Sequence, residues 1–178
     1  MIKQNWIKKG LIIKPNKKYD WMQSHAMLPS IFKIKDNDFL VYFSGRNKDN
    51  ISIVSFVKIR IIGEKVEVLN FSETPVLSYG ERGCFDDNGV TPSCVIQNNK
   101  ELYMYYIGWN SGNSKIRMSL VAGLAISTDM GITFKRYSRA PLLTRNNLEP
   151  FSILPAPCVL FSKEKKIWEM WYVSCEGW

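Results

Sequence analysis

One pattern constrains this chain more than any other: a proline-led segment followed by an aromatic run, met three times. Pro29-Ser30-Ile31 precedes Tyr42-Phe43-Ser44-Gly45, and Pro92-Ser93-Cys94 precedes Tyr105-Tyr106-Ile107-Gly108. Pro157-Cys158-Val159 then precedes Trp171-Tyr172-Val173-Ser174. The aromatic runs (Tyr42, Tyr105, Trp171) stand 63 and 66 residues apart. Pro75-Val76-Leu77 returns as Pro141-Leu142-Leu143, again 66 residues on, with Gly10-Leu11-Ile12-Ile13 as a weaker first copy. Such self-similarity means one supersecondary unit copied, each copy burying its apolar face on the next.

The unit reads as strands. Residues 38–43 and 101–106 are short aromatic and aliphatic runs, each behind a polar turn (Lys35-Asp36-Asn37, Asn98-Asn99-Lys100). Residues 51–62 are rich in β-branched side chains, and 65–69 follow the Gly63-Glu64 turn. Residues 168–173 repeat the aromatic strand, and no window shows sustained helical periodicity. About four antiparallel strands per unit and a period near 65 predict an all-β fold, a β-propeller of four-stranded blades. The expected layout is a single domain over 1–178 with units at about 10–74, 75–140 and 141–178. That is roughly two and a half blades, whereas propellers close with about four to eight. Open edges are aggregation hazards. The expectation is therefore an incomplete propeller: the N-terminal portion of a longer protein, or a chain whose ring a second copy completes.

Hydrophobic content of 46% and aromatic content of 13% exclude a disordered chain. No apolar run approaches the ~20 residues of a membrane helix. The start, Met1-Ile2-Lys3-Gln4-Asn5-Trp6, lacks the apolar core and cleavage site of a signal peptide, so a cytoplasmic location is expected. Of the net charge of +8, residues 1–35 carry +7: eight lysines (3, 8, 9, 14, 17, 18, 33, 35) against Asp20. No nucleic-acid-binding motif accompanies them. They read as a solvated surface, or as an attraction for an anionic glycan or sugar conjugate. Cys84, Cys94, Cys158 and Cys175 show no metal-ligand spacing. Cys94 and Cys158 fall in predicted strands, where a free cysteine packs as a small hydrophobe, with oxidation as the alternative. No phosphate-loop, dinucleotide, zincin or nucleophile-elbow motif occurs, and no cofactor is implied.

Innermost strands of a propeller converge on one axis, so polar residues at their starts are the site candidates. In the first unit these are Ser24 and His25, in the second Asp86, Asp87 and Asn88, and in the third Glu149 and Arg145. Carboxylates from different blades suit glycosidic-bond chemistry, one as acid and one as base or nucleophile. Asp86-Asp87-Asn88-Gly89 also reads as a turn, and Glu149 as a loop carboxylate. Arg46, directly after the first aromatic run, suits bidentate capture of a carboxylate or phosphate, or a structural ion pair. Trp109, at the matching point of the second unit, suits sugar stacking or core packing. Ser127-Thr128-Asp129-Met130-Gly131-Ile132-Thr133-Phe134 fits the S-x-D-x-G-x-T-[FW] pattern called the Asp box, expected to brace a turn between outer strands.

Pro75-Val76-Leu77, residues 83–92 and 103–109, Gly123-Leu124-Ala125-Ile126-Ser127 and residues 170–174 together resemble the five-bladed propeller superfamily of glycoside hydrolase families 32, 43, 62, 68 and 130. The likeness is nearest to glycosidase-like proteins of bacterial polysaccharide gene clusters, and covers about Trp6 to Trp178. It implies action on glycosidic bonds, with Asp86, Asp87 and Glu149 as catalytic candidates. His25, Arg46, Asn88, Trp109 and Arg145 would then contact the sugar. The resemblance also shows a departure: where families 32 and 43 place a first-blade aspartate, this chain has Ser24-His25-Ala26-Met27-Leu28-Pro29. A non-catalytic glycan-binding module and an inactive fragment are the alternative readings.

Overall fold

A computed structural model describes residues 5–112 and 115–176. Among them the regular structure is strand, apart from one 3-10 turn at Asp20–Met22. The first unit is a four-stranded antiparallel meander: β1 (Ser24–Lys35), β2 (Asp38–Arg46), β3 (Ser52–Ile62) and β4 (Lys65–Phe71). The second repeats it with β5 (Gly89–Asn98), β6 (Glu101–Ser111), β7 (Met118–Ser127) and the short β8 (Lys135–Arg136). The third begins with β9 (Ile153–Leu154), β10 (Cys158–Ser162) and β11 (Ile167–Trp171). The β1–β2 and β5–β6 turns each place a short polar residue in the left-handed region, Asp36 at φ 42° and Asn99 at φ 55°. Asp and Asn tolerate that conformation, which tight hairpins require.

Each unit hands over to the next in the same way. The third strand of one pairs in parallel with the first strand of its successor: Ser52 with Gly89, then Leu120 with Ile153 and Val121 with Leu154. A continuous rung of paired residues therefore crosses all three units: Ser24, Arg46, Ser52, Gly89, Trp109, Leu120 and Ile153.

Alternation along the strands divides the core in two. Leu40, Tyr42, Val54 and Phe56 meet Leu102, Met104, Tyr106 and Phe134 in the seam between units one and two. The opposite face of unit one, with Phe43, Ile53, Val57 and Ile59, is covered by Trp21, Met22, Ile13 and Tyr19. Tyr42 pins the seam: its hydroxyl donates to the carbonyl of Gly131 at 2.9 Å and its ring meets Phe134 edge-on at 5.5 Å. Gly131 has φ 89°, and a β-carbon there would run into that hydroxyl, so only glycine fits.

The turn around Gly131 is braced by Asp129. Its Oδ1 accepts from the amides of Ile132 (3.1 Å) and Thr133 (3.0 Å) and from the Ser127 hydroxyl (2.7 Å), and its Oδ2 from the Thr133 hydroxyl (2.6 Å). Partial burial alone would raise this carboxyl, but the Thr133, Ser127 and backbone donors outweigh it and hold the pKa down at about 2.

The third unit is less covered. Val159 is buried, yet Leu160, Phe161, Ile167, Trp168 and Trp171 are all exposed.

Candidate functional site

The rung marks where β1, β5 and β9, the first strands of the three units, begin. It strings several residues far apart in sequence along one line across the sheet. Arg46 lies opposite Ser24, the neighbour of His25, and Trp109 lies opposite Gly89, the neighbour of Asn88. Glu149 and Arg145 sit on the loop that enters β9.

At the start of β1 the backbone is irregular. Bulges interrupt the ladder on both sides of Met27, with His25 at φ 63° and Leu28 at φ 51°. Ala156 (φ 56°) precedes Pro157 in the third unit just as Leu28 precedes Pro29 in the first. A left-handed non-glycine residue costs about 1–3 kcal/mol and persists only where its surroundings impose it. The bulge turns His25 outward: it is exposed, with Nδ1 2.8 Å from the Ser24 hydroxyl. Across the pair, Arg46 donates through Nη1 to Asn50 Oδ1 at 2.9 Å, while its Nε is buried and has no partner. Trp109 is half-buried, its indole N–H 3.3 Å from the Thr91 hydroxyl. Asn88 accepts from the Ser111 amide at 2.7 Å.

The two adjacent aspartates have opposite surroundings. Asp86 lies inside the second unit rather than on its open end, 1% exposed. Its Oδ2 accepts from Arg136 Nε (2.7 Å) and the Tyr106 hydroxyl (3.0 Å), and a β-carbon at Gly80 would strike its other oxygen. Arg136 also donates to the carbonyl of Ser78. Burial and the Asp86 charge push the Tyr106 hydroxyl far above the ordinary phenol range. Asp87 is half-exposed, but both oxygens accept framework bonds, from the Gly83 amide (2.8 Å) and from Asn110 Nδ2 (2.7 Å).

Glu149 has a different cradle. The Ser174 hydroxyl and the Tyr172 hydroxyl (2.9 Å) hydrogen-bond its carboxylate and hold its pKa below the usual range. Asn146 shapes the loop, accepting from the amides of Leu148 (2.8 Å) and Glu149 (3.0 Å). Arg145 is exposed on a cleft of about 430 Å³ lined also by Phe85, Asn110, Ser119, Leu143 and Ser152. The cleft runs between the second unit and the segment entering the third, so Arg145 shares it with the side chain that holds Asp87.

Asn110, Tyr172 and Ser174 were not among the sequence candidates. Asn110 follows Trp109 directly, and Tyr172 and Ser174 belong to the third aromatic motif, so each stood beside a recognised signal. Among the described residues, no group of three or more His, Cys, Asp or Glu side chains gathers as metal ligands would. No described helix is long and apolar enough to cross a membrane.

Strand order and inter-unit pairing define an all-β, propeller-type fold of the kind found in glycoside hydrolases. Zg3597, a family 117 glycoside hydrolase produced by the marine bacterium Zobellia galactanivorans, superposes with a TM-score of 0.55 and 18% identity, over 91% of this chain and 46% of that one. A Bombyx mori GH32 β-fructofuranosidase in complex with sucrose gives a TM-score of 0.55 and 17% identity, over 78% of this chain and 28% of that one. At these identities the likeness is one of fold. In sequence, the chain is 35% identical over 174 residues to the uncharacterized protein Rv1502 of Mycobacterium tuberculosis, spanning 97% of this chain and 56% of the relative's length. No family model matches.

Proposed function

We propose that this chain belongs to a carbohydrate-active, glycosidase-like protein that holds a sugar or sugar conjugate at the rung end of the sheet. The observation behind this reading is the rung itself, a line of paired residues that runs from Ser24 and Arg46 of unit one through Trp109 of unit two to Ile153, four residues past Glu149, in unit three. Arg46 and Arg145 supply cationic donors, His25 and Asn88 hydrogen bonds, and Trp109 an aromatic face. Glu149, kept ionised by two hydroxyls, suits the base or nucleophile of glycosidic-bond cleavage rather than the acid. The basic N-terminal segment favours an anionic conjugate, as in bacterial surface-polysaccharide metabolism.

Non-catalytic glycan binding is the second reading, and one observation favours it. Asp86 is enclosed and both oxygens of Asp87 are engaged, so an acid to pair with Glu149 is not displayed by either.

An aryl-glycoside panel run beside a glycan-binding array separates the two. Hydrolysis that falls at least ~100-fold in Glu149→Gln, with binding retained, supports the enzyme. Binding lost in Arg46→Ala and Trp109→Ala, without turnover in the parent chain, supports the binding module. Neither binding nor turnover overturns both.

A further inference from the structure

Units two and three are joined differently from units one and two. The first two share a sealed core, whereas β10 and β11 form a separate two-stranded sheet. That sheet is tied back through the short β9–β7 pairing and the Val173 amide, which donates to the carbonyl of Pro155 at 2.9 Å. Across the remaining seam the Cys94 thiol lies 3.6 Å from the carbonyl of Val159. Both strands are distorted where they meet. Cys94 follows the bulge between Pro92 and Cys94 on β5, and Cys158 opens β10 just after the left-handed Ala156 and Pro157. The contact with Val159 sets Cys158, the preceding residue, beside Cys94 across the seam. Both cysteines are free, with Cys158 exposed and Cys94 half-buried.

We propose that Cys94 and Cys158 are a dithiol pair that closes to an intramolecular disulfide under oxidation, a covalent clasp between units two and three. The oxidant is a low-molecular-weight disulfide such as glutathione disulfide. The thiolate of Cys158, the accessible partner, attacks it, forming a mixed disulfide and releasing one small thiolate. Cys94 then loses its proton, and its sulfur attacks that of Cys158, expelling the second small thiolate. Two protein thiols give up two electrons and two protons, and the small disulfide becomes two thiols. Burial raises the Cys94 thiol above its ordinary value, which suits it to the second step rather than the first. The clasp bears on the candidate site, because Tyr172 and Ser174, which cradle Glu149, follow β11 directly. The proposal itself does not depend on the carbohydrate reading.

The test is peptide mapping by mass spectrometry after equilibration in glutathione redox buffers, with a thermal melt of each state. A linked Cys94–Cys158 peptide is expected, with Cys84 and Cys175 still open to alkylation. Oxidation should raise Tm by roughly 5–15 °C, because the bridge closes a long loop. The rise should persist in Cys84→Ser/Cys175→Ser and vanish in Cys94→Ser and in Cys158→Ser. Glutathione retained on Cys158 with Cys94 still alkylatable would overturn the proposal, as would bridges routed through Cys84 or Cys175. The mapping needs only the parent chain, so poor folding of a serine variant does not blunt it.

Discussion

The first and third units carry the same motif and treat it in opposite ways. Tyr42 and Phe43 are 0% and 1% exposed, whereas their counterparts Trp171 and Tyr172 are 54% and 37% exposed. Nothing in the local sequence accounts for this, since all four are large aromatics on strands or at their ends. The neighbours do. Unit one has unit two on one face and the N-terminal segment on the other, while among the described residues the β10–β11 hairpin packs on β5 of unit two. In a repeat architecture the stability of a motif belongs largely to its interfaces, so identical chemistry can be core in one copy and surface in another.

The contrast breaks most visibly under truncation. Tyr42→Ala should cost about 3–5 kcal/mol, because it opens a cavity in the sealed seam and removes the bond to Gly131. Trp171→Ala should cost less than about 1 kcal/mol. Urea melts of the two variants check this, and comparable losses would mean that the third hairpin is covered in solution. Asp129 gives the next effect. Its folded pKa, about 2, lies below the usual carboxylate value, so its contribution is present above pH ~4 and lost as pH falls toward 2. Asp129→Asn should therefore be less stable than the parent near neutrality, with the difference shrinking in acid.

The repeat and its strands were legible because each aromatic run follows a polar turn. Asp36 and Asn99 do adopt the left-handed conformation those turns require. The surroundings of adjacent aspartates were not legible. Asp86 turns into the unit and Asp87 away from it, and which of the two is enclosed depends on Arg136, 50 residues away. The cradle of Glu149 was hidden for the same reason, since Tyr172 reaches it from 23 residues on. Positions along the rung could be guessed from strand starts, but the partners of each side chain come from tertiary contacts that no local pattern records.

The exposed hairpin sharpens the comparison in a third way. Phe161 and Trp168, paired across the hairpin with ring centroids 5.0 Å apart, stay exposed and offer an apolar face of the kind that drives association. Light scattering should show self-association that weakens in Phe161→Lys/Trp168→Lys while the melt of units one and two stays put. A defined dimer would fit a ring completed by a second copy, and a parent chain that stays monomeric at high concentration would refute association through this face.

The smallest effect concerns Glu149, where the weakly covered unit meets the candidate site. The Ser174 and Tyr172 hydroxyls hold its carboxyl below the ordinary glutamate value, and Tyr172 is itself raised by the same bond. Removing one donor should let the carboxyl titrate nearer its ordinary value. In Tyr172→Phe the Glu149 titration, followed by carboxyl-carbon NMR, should move upward while the melt barely changes. An unmoved titration would mean that the hairpin does not hold Tyr172 against Glu149 in solution. The third unit would then lack a fixed cradle, and its seating would rest on the β9–β7 pairing, the buried Leu154 and Val159, and the clasp between Cys94 and Cys158.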